Sequence, residues 1–140
     1  MRRVAGIAFL SALIGGSALP GVSASAAAQE KEPTYQLGTE TTVSGTVTKL
    51  FTKNGQRGTA RQRATLKQAD GSAIDIHIGP VSYIAAKKMI LKIGDQVTVA
   101  GSRVVEDGAP LVVVRRLTRG KQILDMRGKD GKRLWPDKYR

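Results

Sequence analysis

His77 is the residue best suited to chemistry in this sequence, because it is the single histidine and stands two positions after Asp75. Residues two apart on a β-strand point to the same face, so an imidazole and a carboxylate would lie side by side. Such a pair can bind a metal ion or move a proton. Zinc, however, usually takes three or four protein ligands, and Arg63 is expected opposite His77, where its charge would oppose a cation. We therefore predict no metal site and no cofactor, with His77 and Asp75 as the candidates if one exists.

A second group of side chains favours the binding of anions. The cations expected around the second and third strands, with the histidine beside them, are Lys53, Arg57, Arg61, Arg63, Lys67 and His77. A groove with this lining would attract phosphate or carboxylate polymers in a salt-dependent way. Binders of single-stranded nucleic acid place aromatic rings between the cations, yet aromatic residues are only 4% of this chain. An acidic envelope protein or an anionic polymer is therefore the predicted partner, and single-stranded nucleic acid is an alternative.

The composition argues against an enzyme. The chain has no cysteine, which rules out disulfides, thiolate metal sites, iron–sulfur clusters and thiol nucleophiles. A single histidine makes a histidine metal cage or a Ser-His-Asp triad very hard to build. No paired carboxylates with an acid–base division, nucleophile elbow or phosphate-binding glycine loop is found. We predict a binding protein, with a metal- or redox-linked periplasmic accessory protein using His77 as the other alternative.

The elements that must position these residues are short runs rich in Val, Ile and Thr, separated by turns, which is typical of an all-β barrel or sandwich. Strands are predicted over 42–51, 59–67, 72–78, 96–105 and 111–117, with a helix over 81–89. Gly45 in the first strand indicates a bulge or a tight bend. Pro80 suits the first position of the helix. A further hairpin is predicted around 128–131, with Trp135 capping the barrel.

The register of the second and third strands follows from the face that must be buried. A three-residue loop over 69–71, with Gly71 in the left-handed region, is a common hairpin type. It pairs Leu66 with Ile74 on the buried face. On the opposite face it pairs Arg63 with His77 and Thr65 with Asp75, and this face is expected to be exposed to solvent.

The N-terminal segment has the parts of a secretory signal peptide in the usual order. Met1-Arg2-Arg3 is followed by an apolar stretch over 4–19, which is shorter than the roughly 20 residues of a spanning helix. Cleavage is expected after Ala26 or after Ala28, giving an exported protein, periplasmic or secreted, with no transmembrane span. We divide the chain into a signal peptide (1–28), a flexible lead-in (29–40), a barrel (41–118) and a basic C-terminal extension (119–140) that packs on the barrel.

The positive charge is unevenly distributed. The whole chain carries +12. Residues 115–140 hold ten Lys and Arg against three Asp, a net charge of +7. Residues 41–114 hold ten basic and five acidic residues, a net charge of +5. The lead-in carries a net −2, with one Lys against three Glu. The charge therefore indicates a basic surface concentrated towards the C-terminus.

Four segments carry a resemblance to a known fold, namely 43–47, 76–80, 93–101 and 129–135. With a helix between the third and fourth strands, the order looks like an OB-fold. The chain resembles small exported bacterial OB-like domains and the related MamS/MamX magnetosome domain over 41–135. The resemblance implies a small five-stranded barrel, to which the hairpin predicted around 128–131 adds a C-terminal β-hairpin extension. It also implies a role in iron-related envelope biology. In OB-folds the surface of strands 2 and 3 and the adjoining loops commonly bind the ligand.

Overall fold

The structure, a computed structural model, describes residues 32–55 and 59–139. The predicted signal peptide, with its cleavage after Ala26 or Ala28, lies outside these residues, and so does Arg57. Among the described residues, no helix is long and apolar enough to span a bilayer.

Strands make up most of the described chain. In order they are β1 (Glu40–Asn54), β2 (Ala60–Lys67), β3 (Ala73–Pro80), the helix α1 (Val81–Ala86), β4 (Gln96–Glu106), β5 (Ala109–Arg119) and β6 (Gln122–Asp125). Two short 3-10 helices, Leu37–Thr39 and Asp137–Tyr139, flank this core. The order of strands and helix confirms the predicted all-β class.

The strands close into a five-stranded barrel. Their order in the sheet is β3-β2-β1-β4-β5-β6, and β3 also pairs with β5. This closing pair is parallel, with Ile76 opposite Val112, whereas the neighbouring pairs along the sheet are antiparallel. The same β5 strand pairs through 111–113 with β3 and through 116–119 with β6. The predicted OB-fold is confirmed, and β6 adds one strand to it.

The long strand β1 pairs with two neighbouring strands. Its first half pairs with β4, its second half pairs with β2, and Thr46 belongs to both registers. A Cβ on Gly45 would lie 2.7 Å from the carbonyl oxygen of Lys67. The backbones of β1 and β2 therefore approach each other here as closely as glycine allows. The register shift itself lies between Val47 and Lys49. The predicted irregularity therefore follows the glycine by a few residues.

The predicted register of β2 and β3 is confirmed. Leu66 lies opposite Ile74, and Arg63 lies opposite His77. Gly71 has φ +89°, and the Gly71 N–H donates to the Gln68 carbonyl at 2.9 Å. The apolar residues of this hairpin point into the core, which comprises Val47, Ala64, Leu66, Ile74, Ile76, Ile78, Val97, Val99, Val112, Val114, Leu117, Leu124 and Met126, with several neighbours.

Helix α1 is shorter than predicted. It ends at Ala86, because Lys88 adopts φ +62° and the Lys88 N–H donates to the Ala85 carbonyl. Such a left-handed residue terminates a helix. Pro80 is the last residue of β3 and the N-cap of the helix, not its first residue. Tyr83 is buried and contacts the ring of Trp135, with 6.4 Å between centroids.

Both ends of the described chain pack on the barrel. After β6 the chain turns at 128–131, and Arg127 and Arg133 form an isolated bridge, which places Trp135 in the core. The predicted terminal hairpin is thus reduced to this bridge, since β6 pairs with β5. The segment predicted as a flexible lead-in also contacts the barrel in its described part, where the Gln36 N–H donates to Ser102 Oγ at 3.0 Å.

Candidate functional site

Three of the predicted site residues meet in one place. Arg61, Arg63 and His77 lie at the paired ends of β2 and β3, and their relative exposures are 4%, 3% and 2%. The prediction that Arg63 and His77 face solvent is therefore wrong. The alternation along the hairpin is as predicted, but carboxylates from distant parts of the chain cover its second face.

Arg63 lies at the centre of these contacts. Its Nε donates to Nδ1 of His77 at 3.0 Å. Its two terminal nitrogens donate to the two carboxylate oxygens of Glu106, at 2.7 and 2.9 Å. A bidentate pair of this kind is among the stronger hydrogen-bonded ion pairs in proteins. Glu106 at the end of β4 thus fixes the guanidinium, which in turn orients the imidazole.

Glu32 covers the other side. Its Oε1 accepts from Arg61 Nε at 2.8 Å, and its Oε2 lies 2.5 Å from His77 Nε2. Because arginine only donates, Nδ1 of His77 must accept, and the ring proton then lies on Nε2 and is donated to Glu32. We call Glu32, Arg61, Arg63, His77 and Glu106 the polar cluster.

The cluster favours the ionised form of both carboxyl groups. Burial acts to raise the pKa of Glu32, but the hydrogen bond from His77 and the nearby positive charge outweigh it and lower the pKa to about 2. The hydrogen bonds from Arg63 lower the pKa of Glu106, against the effect of burial. The pKa of Glu32 is far below its usual value, so this carboxylate stays charged over the physiological range.

Arg127, from the turn after β6, is a further cation near Glu32. Its NH2 lies 3.8 Å from Oε2 of Glu32, and its NH1 donates to the Gly131 carbonyl at 2.9 Å. The guanidinium stands over the rings of Tyr35 and Trp135, at 5.4 Å from each centroid. Burial lowers the pKa of Arg127. This arginine is therefore held by two rings and a carbonyl beside the Glu32 carboxylate.

Little space remains around the cluster. A cavity of ≈ 10 Å³ is bordered by Glu32, Lys53, Asn54, Gly55, Arg61, Arg63 and His77. A cavity of about this size is at the lower limit of what can hold one water molecule. A Cβ at Gly55 would lie 2.8 Å from Arg61 Nε. Glycine at this position is therefore part of what lets Arg61 reach Glu32.

The remaining predicted residues lie apart. Lys53 is at the edge, with Nζ 4.0 Å from Glu106 Oε1. Lys67 is exposed at the opposite end of β2. Asp75 is half-buried and accepts from Thr65 Oγ1 at 2.7 Å. Arg57 lies outside the described residues. The expected row of cations along β2 is therefore divided between the polar cluster, Lys53 beside Glu106, and Lys67 at the far end of the strand.

The geometry is unfavourable for a metal ion at the candidate residues. Both ring nitrogens of His77 are engaged, one by Arg63 and one by Glu32. In the part of the chain that the structure describes, no three His, Asp or Glu residues are grouped as metal ligands would be. What the cluster does instead is hold a carboxylate between an arginine and a histidine N–H.

Sequence reasoning missed Glu32, Glu106 and Arg127. Glu32 was assigned to the lead-in, and Glu106 to the loop after the fourth strand. One signal did exist, since the lead-in is acidic in a chain that is otherwise strongly basic. Opposite charges on two segments of one chain favour their contact, but the sequence does not say which carboxylate meets which arginine.

Comparison with known proteins assigns the barrel to a family. The MamS/MamX magnetosome protein family matches residues 39–124, from the first 3-10 helix to β6. No curated protein matches the sequence significantly. The family match covers the barrel and excludes Glu32 and Arg127.

Solved structures with a similar fold include three proteins. The N-terminal domain of PriB protein from Thermoanaerobacter tencongensis has TM-score 0.49 and 17% identity, over 61% of this chain and 99% of that one. A small single-stranded DNA-binding protein from Streptomyces coelicolor has TM-score 0.45 and 14% identity, over 64% and 97%. The mitochondrial single-stranded DNA binding protein Rim1 from S. cerevisiae has TM-score 0.46 and 10% identity, over 66% and 98%. Similarity at this level says nothing about what this chain binds.

Proposed function

Because the chain belongs to the MamS/MamX magnetosome protein family, we propose that it is an exported, non-catalytic binding module of the cell envelope. Its partner is an acidic protein or an anionic polymer, which it contacts through a basic surface. The observation that carries this proposal is the set of exposed lysines on the C-terminal extension.

These lysines differ from four arginines of β5 and of the turn after β6. Arg115, Arg116, Arg119 and Arg127 form ion pairs with Glu40, Asp125, Asp95 and Glu32. Lys121, Lys129 and Lys132 are exposed, and within residues 32–55 and 59–139 none of the three forms an ion pair. Their charge is therefore available to a partner. We call these three residues the extension lysines.

The state of the polar cluster supports a role without catalysis. His77 is the single histidine of the chain, and neither ring nitrogen is open to a substrate. Glu32 and Glu106 each have both oxygens engaged by donors. A general base needs a lone pair within reach of the proton that it removes, and these groups are already committed to one another.

Two alternatives have less support from the geometry. A metal-linked accessory role would use His77, whose nitrogens are both engaged. Single-stranded nucleic acid would use the face of β2 and β3, where Arg61 and Arg63 are already neutralised by Glu32 and Glu106. Neither strand carries a Phe, Tyr or Trp on which a base could stack. The test below includes nucleic acid as a competing outcome.

The binding test compares two labelled polyanions, an oligoglutamate peptide and a single-stranded oligonucleotide of matched charge, by fluorescence anisotropy. The variant Lys121→Gln/Lys129→Gln/Lys132→Gln should bind oligoglutamate about tenfold more weakly, since three surface charges at roughly 0.5 kcal/mol each amount to that factor. The control is Lys49→Gln/Lys67→Gln/Lys87→Gln, with the same loss of charge outside the extension.

The outcomes separate the proposals. Binding of oligoglutamate at low ionic strength that weakens in the extension variant supports the proposed function. No binding at low ionic strength, or an equal loss in both triple variants, overturns it. Tighter binding of the oligonucleotide than of the peptide would favour nucleic acid.

Export has its own test. N-terminal sequencing of the protein recovered from the periplasm of an expressing bacterium should start at Ala27 or Gln29, as cleavage after Ala26 or Ala28 requires. A protein that starts at Met1 and stays in the cytoplasm would contradict this part of the proposal.

A further inference from the structure

The Glu32 carboxylate occupies a cage formed by three donors from different parts of the chain. Arg61 comes from β2, His77 from β3, and Arg127 from the turn after β6. Their relative exposures are 4%, 2% and 7%. Arg61 and His77 each donate to a different oxygen of the carboxylate, and Arg127 adds its charge at 3.8 Å. Three buried donors that converge on one point form an anion-binding arrangement.

The donors are held by contacts that do not involve Glu32. Arg63 accounts for the orientation of the His77 ring, as described above. The Arg61 NH1 donates to the Tyr139 carbonyl at 3.3 Å. Arg127 is fixed by Gly131 and by two aromatic rings. The cage is therefore preorganised, and removing the carboxylate would leave its positive groups facing one another.

Glu32 enters this cage from the surface. Its side chain keeps 18% exposure, so the carboxylate sits at the mouth. The contacts that tie down its segment begin a few residues later, where Arg127 lies over Tyr35 and Gln36 donates to Ser102. An exchange of this carboxylate for another one does not require the barrel to open.

The shape of the cage fits a carboxylate. Two donors face two oxygens, and only ≈ 10 Å³ is left beside them. We propose that Arg61, His77 and Arg127 form a carboxylate-binding site that Glu32 fills in cis, and that an acidic side chain of the partner takes its place. This inference rests on the proposed function in one respect, namely that the partner is acidic.

The first experiment tests the site alone, by chemical rescue of Glu32→Ala. This variant vacates the cage, and acetate should restore part of the lost Tm in a concentration-dependent way. Chloride at equal ionic strength, and inorganic phosphate, should restore less. Wild type should show no response specific to acetate. An acetate response of Glu32→Ala no larger than its chloride response overturns the site.

The second experiment tests the exchange, with the labelled oligoglutamate peptide as probe. A tethered competitor acts at an effective concentration on the order of millimolar, so Glu32→Ala should bind the peptide roughly tenfold more tightly than wild type. Glu40→Ala is the matched control, because it removes the same charge and releases Arg115 at the surface. Adding Arg61→Gln to Glu32→Ala should abolish the gain. Equal affinities of the Glu32 and Glu40 variants overturn the exchange.

Three further outcomes are covered. If Glu32→Ala does not fold, Glu32→Gln is compared with Glu40→Gln, and no tighter peptide binding by the former overturns the inference. If acetate rescues Glu32→Ala while no variant binds oligoglutamate, the site stands and the proposed function fails. If wild type binds through the extension lysines but neither rescue nor tightening occurs, the inference alone fails.

Discussion

Nε2 of His77 lies 2.5 Å from Oε2 of Glu32, a residue that precedes it by 45 positions. This contact joins the segment before the barrel to the third strand. It also explains why the face of the β2–β3 hairpin that was predicted to be exposed to solvent is buried. The same contact makes the protein sensitive to acid, which gives the first prediction.

Acid should destabilise the protein through Glu32. Its pKa is lowered to about 2 in the folded protein, from an ordinary value of 4.5. The ionised form is thus stabilised by folding, and this stability is present above the ordinary pKa and lost as the pH falls towards the folded one. Between pH ~5 and pH ~2 the free energy of unfolding should fall by about 3 kcal/mol from this residue.

The measurement is urea unfolding at a series of pH values, for wild type and for Glu32→Gln. The variant lacks the titrating group, so the difference in stability between the two proteins should shrink as the pH falls. Glu40→Gln serves as control, since Glu40 also pairs with an arginine but at a more exposed site. A gap that stays constant from neutral pH to acid would contradict this assignment.

Arg63 should contribute far more stability than a similar arginine at the surface. Replacing it with Met leaves Glu106 and Nδ1 of His77 without their donor. Loss of one member of a buried charged network typically costs about 3–5 kcal/mol. Arg116 makes a similar two-bond contact with Asp125, but both side chains are more than two-fifths exposed.

Arg116→Met should therefore leave the free energy of unfolding nearly unchanged, because solvent screens that pair. Denaturant unfolding at neutral pH compares the two variants directly. Equal losses for Arg63→Met and Arg116→Met would show that the polar cluster adds no more stability than a surface ion pair.

Gly101 should not tolerate a methyl group. A Cβ there would lie 2.2 Å from the Val113 carbonyl oxygen, beside the register shift between β4 and β5. A clash with backbone cannot be relieved by a rotamer change, so Gly101→Ala should lower stability by about 1–3 kcal/mol. Gly38 has nothing within 4 Å of its Cβ position, and Gly38→Ala is the control. Thermal unfolding gives the Tm of each variant. Equal Tm values for Gly101→Ala and Gly38→Ala would contradict the close approach of Gly101 to the Val113 carbonyl.

Trp135 should tolerate replacement by Phe better than by Ala. It is 4% exposed in the core, while its indole Nε1 has no hydrogen-bond partner among the described residues. Trp135→Ala should cost about 3–5 kcal/mol for the cavity that it leaves. Trp135→Phe keeps most of the packing and removes the unsatisfied donor, so its cost should be smaller. Both variants lack the single tryptophan of the chain, so tryptophan fluorescence cannot report on their unfolding. Circular dichroism is used to follow it instead.

The hairpin of β2 and β3 shows how much of this structure is local in the sequence. Leu66 and Ile74 must share a buried face, and Gly71 permits the left-handed turn that brings them opposite each other. Those requirements lie within a few residues, so the register could be predicted. The OB-fold followed in the same way, from the order of strands and the position of one helix.

The environment of the hairpin's second face was not predictable by that route. Whether Arg63 is exposed or buried depends on Glu106, which lies 43 positions away and pairs with it. It also depends on Glu32, which contacts the neighbouring His77. Alternation gives two faces but does not say what covers them. In a barrel that also carries terminal segments, both faces of a strand can be covered, and only the folded chain brings the required carboxylates there.

The edge of β5 has a consequence for the timing of folding. β3 and β6 share this edge, and the parallel pair with β3 begins at Leu111. A chain that is still being synthesised therefore cannot close its barrel until β5 has emerged. Contacts between residues so far apart in sequence form slowly. The polypeptide should consequently remain open and threadable until β5 is available, and the barrel should close only then.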